Sequence, residues 1–422
     1  MTITLNTPPA RPATSSTTLS RYRTAISTMF AVAGTIIGTW TARMPAIQHH
    51  LGLTDSQLSI ALLALACGGL VGMRTAGRFV DRHGSSGVMK TTAVTLGAVL
   101  VVTAYAPNLA ALAAALLVLG TLHGTLNVAM NSAAVVCQTA YRRPIMTSFH
   151  AQFSIGGVGG AVASAGCAHL DLSVGQTFLT IGGALTVTAL WANQRLTAGP
   201  HNEAASDEPM ARTPHGLGGP RRGRVLLLGL LAFCALISEG AAADWSSVYL
   251  DRLSASPAYA AAAYAAFAGC MTLGRLTGDR ITAKLRPTTL LRACGLLAGA
   301  GLAAGITIGR PAAAIIGFAC LGAGLSCVIP QLFSTAGNLD PSRPGAALSR
   351  VSAVGYLGYV TGPVLIGAAA ARLGLGHALL ILPALAGLLV AVAPIVRPAA
   401  DGHSQAERAR SAERLPMLEV TT

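Results

Sequence analysis

The sequence predicts an all-α integral membrane fold of twelve transmembrane helices arranged as two pseudo-symmetric six-helix bundles, and three observations carry that reading. Twelve apolar stretches recur along the 422 residues, separated by short polar connectors. Hydrophobic residues make up 52% of the chain and charged ones only 10%, against about 25% charged in an ordinary soluble domain, so the apolar surface belongs in lipid. The two halves also resemble each other when overlaid with an offset near 200 residues, as Arg143-Pro144 against Arg343-Pro344 illustrates.

Each span satisfies one physical requirement. A helix needs ~20 mostly apolar residues to cross ~30 Å of hydrocarbon at ~1.5 Å per residue. After a Thr-, Pro- and Ser-rich tail at 1–21, which lacks the apolar core of a secretory leader, the first bundle occupies 22–193. Its spans are 23–42, 56–76, 88–106, 109–136, 145–168 and 173–193. Residues 194–223 interrupt the pattern with Pro200, Pro209, Pro214 and Pro220 beside Arg221 and Arg222, and read as a linker. The second bundle, 224–396, contributes 225–247, 257–276, 288–308, 312–337, 347–370 and 375–396. A polar tail with alternating Arg and Glu fills 397–422. The repeat reaches individual residues, since Trp40 near the end of the first span matches Trp245 near the end of the seventh. Such duplication implies a pseudo-twofold axis along the membrane normal.

A formal net charge of +14 would point to nucleic acid in a soluble protein, but here placement decides. With both termini inside, all of the 29 Lys and Arg residues except Arg43, Arg252, Arg310 and Arg372 fall on the cytoplasmic side. That is the positive-inside bias of a membrane protein, and it excludes a nucleic-acid partner. The eight cysteines lie in or beside apolar spans without a CxxC pair, as packing residues do, so no metal or cofactor is expected.

The connector after the second span reads Gly77-Arg78-Phe79-Val80-Asp81-Arg82-His83-Gly84, and the one after the eighth reads Gly274-Arg275-Leu276-Thr277-Gly278-Asp279-Arg280. Here the chain resembles the major facilitator superfamily, whose signature is a Gly-x-x-x-Asp-Arg-x-Gly cytoplasmic loop between helices 2 and 3 with a weaker copy between 8 and 9. Ser85 and Ser86 stand where basic residues are usual, and the second copy carries one extra residue. Further segments, Trp40 to Pro45, Asn127 to Asn131, Arg143 to His150 and Glu239-Gly240 with Asp244-Trp245-Ser246, are similar to a bacterial branch akin to the fucose permeases. The resemblance implies alternating access, a multi-pass location in the bacterial inner membrane and cytoplasmic termini.

Ionisable groups inside lipid are costly and mark function by default. Glu239, about 14 residues into its span, lies near mid-membrane and is a candidate for proton coupling or substrate contact, with a structural carboxylate as the alternative. Asp244, five residues on, is rotated by ~140° and faces elsewhere. Arg43 at the outer end of the first span is its candidate partner in an outer gate, against two charges reaching water separately. His123, Asn127 and Asn131 form one stripe that either lines the substrate path or binds neighbouring helices. Gln331 follows Pro330 in a span where a kink exposes polar groups to a cavity. Trp40 and Trp245 read as cavity walls or as an interfacial aromatic belt. At the inner side Gly77, Asp81, Arg82 and Gly84, their counterparts Asp279 and Arg280, and the repeat-related pair His150 and Arg350 form a candidate latch; for the connectors the alternative is a solvated turn. His150 has two readings, a titrating gate or a structural side chain near the headgroups.

These features predict a monomeric, proton-coupled secondary transporter of a small organic solute, exporting a drug-like or secondary metabolite. The alternatives are proton-coupled sugar uptake and a non-transporting sensor. A membrane enzyme is excluded because the outer loops are too short to build a catalytic site.

Overall fold

The computed structural model describes residues 16–196, 219–253, 257–339 and 344–396; the expected tails and most of the expected linker lie outside them. The first half contains α1 (Ser16–His50), α2 (Asp55–Ala104), α3 (Leu109–Tyr141), α4 (Met146–His169) and α5 (Val174–Leu196). The second contains α6 (Gly219–Arg252), α7 (Pro257–Lys284), α8 (Pro287–Ile308), α9 (Pro311–Leu325), α10 (Val328–Gly337), α11 (Pro344–Leu373), α12 (Leu375–Leu379) and α13 (Ile381–Val392), closed by a 3-10 turn Ala393–Val396.

These elements make twelve crossings. Among the described residues nine helices are long and apolar enough to span a membrane. One of them, the 48-residue stretch Gln57–Ala104, is two crossings joined at Gly84, whose φ of 75° breaks the helix. The 24-residue α4 and the 28-residue α7 are also long enough to cross and complete the set. The tenth crossing is divided between α9 and α10 at 326–327, because Pro330 has no N–H to offer the preceding turn. Pro383 does the same between α12 and α13.

Two expectations change here. Gly77 to His83 are not a loop but the last helical turns of the second crossing, since nothing breaks the helix before Gly84. Gly84 is a turn residue: no atom lies within 4 Å of where its Cβ would be, so it makes no latch contact. Large apolar side chains such as Val71, Val162, Val187, Leu297 and Val364 point outward, as a lipid-facing belt requires.

Within each half, helices approach until backbones touch, and the same pairs do so in both. In the first half α1 packs on α4, and a Cβ on Gly38 would overlap the carbonyl of Gly157. There α2 also packs on α3, where a Cβ on Gly124 would overlap the carbonyl of Gly69. In the second half the equivalent pairs are α6 with α11, where Gly358 meets the Phe233 carbonyl, and α7 with α9, where Gly322 meets that of Phe267. With no hydrophobic driving force between helices in lipid, this close packing is what binds them.

Among the described residues the halves touch from one end to about the middle of the crossings, where Tyr356 meets Gly69. α2 and α3 pack on α11, and α4 packs on α7 and α10, at the end carrying most Arg and Lys residues, here called the basic end. At the far end, among the described residues, α1 and α6 make no extended contact. The cleft between the halves is therefore open away from the basic end.

Enlarging Gly124 to Val is expected to lower the thermal midpoint of the detergent-purified protein and reduce its monodisperse yield, by overpacking of about 1–3 kcal/mol. Gly159→Leu, where a side chain meets open space, should leave both unchanged. Equal loss in both variants would refute the packing account.

Candidate functional site

The floor of the cleft is a polar chain crossing from one half to the other. Glu239 of α6 forms an ion pair with Arg275 of α7, Oε2 to Nη2 3.7 Å, with side chains 27% and 8% exposed. Arg275 Nη1 donates to Ser154 Oγ of α4, in the opposite half, at 2.7 Å. One turn earlier on α4, His150 Nε2 lies 3.2 Å from Asn131 Oδ1, and Asn131 Nδ2 donates to the Asn127 carbonyl at 2.8 Å. The His150 ring sits edge-on between Phe30 of the first half and Phe333 of the second, at centroid distances of 5.3 and 6.0 Å. At the ion-pair separation, Coulomb attraction amounts to about 4 kcal/mol in an effective dielectric of ~20, most of it offset by taking both groups from water. The pair thus adds little stability but makes an otherwise prohibitive arginine tolerable at this depth.

Above the floor the second half presents acids and aromatics. Tyr264 of α7 and Tyr359 of α11 are each within electrostatic reach of both Glu239 and Asp244, so the two carboxylates border one wall, contrary to the expectation from their spacing, because tyrosines from two neighbouring helices reach both. They are 43% and 42% exposed, as cleft walls would be. Tyr359 stacks on Tyr356, whose ring lies against Gly69 of the first half. Asp244 is exposed and has no ion-pair partner among the described residues. In the first half Asn127 is half-buried, and His123 packs near Phe153 with its Nε2 shielded and unpartnered.

Below the floor the basic end is closed by two related contacts. Asp279, near the end of α7, accepts a hydrogen bond at 3.0 Å from the Ser148 backbone N–H in the first turn of α4. Asp81, near the end of the second crossing, lies against Gly345 in the first turn of α11. Each carboxylate thus meets the positive end of a helix dipole belonging to the opposite half. Close approach supports both: Gly77 leaves room for Ser349, whose hydroxyl donates to the Met73 carbonyl, and Gly278 leaves room for Thr147. Gln138 of α3 donates to Ser334 of α10 at 2.6 Å.

Several sequence candidates lie elsewhere than expected. Arg43 and Asp244 are not joined; Arg43 Nη2 donates to the Leu172 carbonyl within its own half at 2.7 Å, because the far ends of the halves stand apart. Trp40 is neither cavity wall nor belt, being 2% exposed in the core beside Phe178. Trp245 packs its ring on Gly367 inside the second half, with Nε1 shielded and unpartnered. Gln331 faces the basic end, in a pocket of about 350 Å³, where the α9–α10 break turns it away from the cleft. Arg82 and Arg280 are exposed and make no ion pair among the described residues, so the aspartates carry the contacts. Arg350 is half-buried, with Nη1 shielded and unpartnered. His150 is buried in the inter-half contact, deeper than a headgroup-level histidine.

Arg275, Ser154 and the tyrosines were not singled out from sequence. For Arg275 a signal existed: it stands four residues before Asp279, hence on the same helical face, and that face crosses to the other half.

Comparisons with known proteins agree with this architecture. The model of the Major Facilitator Superfamily matches residues 24–342. An uncharacterized MFS-type transporter of Yersinia pestis is 34% identical over 342 residues, covering 80% of this chain and 86% of that protein. The membrane protein MosC of Rhizobium meliloti is 29% identical over 373 residues, 88% and 89% of the two chains. Among solved structures, the transporter FucP in its outward conformation superposes with a TM-score of 0.69 at 16% identity, over 89% of this chain and 98% of that one. The proton:xylose symporter XylE gives a TM-score of 0.72 at 13% identity, over 89% and 95%. A chain with these relatives, and with two six-helix halves around a one-sided cleft, belongs to the Major Facilitator Superfamily and is a membrane-embedded secondary transporter, not an enzyme.

Proposed function

We propose that this protein is a proton-coupled exporter of a small organic solute, seated in the bacterial inner membrane as a monomer with its basic end and both termini in the cytoplasm. The observation that carries the reading is the Glu239–Arg275 pair at the bottom of a cleft open to the other side. Protonation of Glu239 from that side removes the counter-charge of a buried arginine. An unpaired buried charge is costly, so the protonated state favours rearrangement toward the basic end, where Arg275 reaches water. The proton is released there, and the pair reforms.

Export follows from the wall chemistry. Glu239 and Asp244 with Tyr264 and Tyr359 offer anionic and π-rich surface, which suits a solute with a basic nitrogen and an apolar body. A cation and a proton neutralise the same carboxylates, so each displaces the other, and an inward proton gradient drives the cation out. Sugar uptake is the second reading, favoured by the amide groups of Asn127 and Asn131 and by the sugar symporters among the structural neighbours.

In this scheme Asp81 and Asp279, with Gly77, are the cytoplasmic latch, and Arg43 and Asp244 come together only when the outer side closes. His150 and Arg350 belong to the inner junction as positioning residues.

In proteoliposomes with an imposed pH gradient, Glu239→Gln is expected to abolish gradient-driven movement, leaving only the weaker solute exchange that Asp244 and the tyrosines support. Gradient-driven flux equal to wild type would sink the coupling role, and a screen in which only neutral sugars move inward would replace export by uptake. Asp279→Asn removes a charged cap of about 0.5–2 kcal/mol and should shift the equilibrium toward the cytoplasm-open state by roughly two- to thirtyfold. The check is alkylation of Cys327, buried beside Gly278, in a background lacking the other cysteines. An unchanged rate would remove Asp279 from the latch.

A further inference from the structure

The pocket of about 350 Å³ at the basic end is not part of the cleft. Its walls come from both halves: Thr139, Arg142, Arg143 and Thr147 from the first, Thr282 and Gln331 from the second. Among the described residues no carboxylate lines it and neither arginine makes an ion pair. Arg143 is held by its stacking over the Tyr141 ring, at 5.8 Å. Arg142 ends α3 with a φ of 51°, in the left-handed region where glycine is the residue without strain.

We propose that this pocket is a binding site for a soluble phosphorylated anion, taken from the water at the basic face, and that its occupant clamps the two halves together at that end. Two guanidinium groups supply charge-assisted, bidentate contacts to phosphate oxygens, and the threonine hydroxyls and the Gln331 amide satisfy the remaining acceptors. The volume lies at the lower end of the range for small-molecule sites, which fits a ligand of the size of a sugar phosphate or pyrophosphate. Because the walls belong to different halves, the site is complete only while the basic end is closed. A ligand that binds one state alone stabilises that state in proportion to its occupancy, so the anion arrests the transporter with its cleft open to the other side. The proposed clamp rests on the alternating-access and latch reading of the function, and not on proton coupling.

The test uses the full-length protein in nanodiscs of phosphatidylcholine alone, titrated with inorganic pyrophosphate by equilibrium dialysis and thermal unfolding. Saturable binding and a rising midpoint are expected, with affinity falling about tenfold for each arginine removed in Arg142→Gln and Arg143→Gln. Asp279→Asn, which does not line the pocket, should weaken binding because the walls separate; Lys90→Gln, a charge loss elsewhere at the same end, should not. Thermal midpoints without ligand show whether each variant is folded, and Thr282→Val gives a second, uncharged probe of the same pocket. Absence of saturable binding, equal binding by the double arginine variant, or stabilisation only when phosphatidylglycerol replaces part of the lipid would each overturn the proposal, the last by assigning the site to a lipid headgroup.

Discussion

A buried arginine is the most expensive side chain this bundle carries, and the arrangement around Arg275 shows how it is held. Its charge is met by Glu239 on one side and by the Ser154 hydroxyl on the other, and these partners belong to different halves of the molecule. The ion pair is local to the second half, whereas the hydrogen bond is a bridge between halves. Any event that neutralises Glu239 therefore acts on the inter-half contact through one side chain. Coupling of that kind needs no long relay of small displacements, since one group takes part in both the charge balance and the closure.

The rest of the structure keeps that contact poised. Within each half, glycines allow helices to approach to backbone contact, so the halves behave as stiff bodies. Between halves, the contacts gather at the basic end, where apolar packing such as Val135 against Gly337 accompanies small polar contacts: a carboxylate on a helix N-terminus, a serine on a carbonyl, an amide on a hydroxyl. Each of these contributes only about 0.5–3 kcal/mol, and water replaces it readily when the surfaces part. Stiff halves joined by weak, exchangeable contacts are what rigid-body rocking requires.

Legibility from sequence followed from the range of the interactions involved. The helix count, the two-fold repeat, the basic end and the aspartates near the ends of the second and eighth crossings depend on composition and on spacing along one chain. Glu239 was also visible, because an acid in an apolar span is conspicuous wherever it points. Its partner was not, although Arg275 sits in a quoted motif, because pairing depends on how far α7 is rotated about its axis relative to α6. The same ignorance of rotation misplaced Trp40, which the core of the first half buries, and Gln331, which the break between α9 and α10 turns toward the basic end.

The amino-acid order alone determined that this chain crosses lipid twelve times in two matching sets, since each crossing must satisfy its own backbone hydrogen bonds and carry its own apolar surface. Tertiary structure decided which polar groups meet across the halves and which end is shut. Those outcomes depend on helix rotation and on the relative tilt of two bodies. Arg43 and Asp244 illustrate the difference: their placement at the ends of equivalent helices is written in the sequence, but that Arg43 turns to Leu172 of its own half, with the far ends of the halves standing apart, is a tertiary outcome.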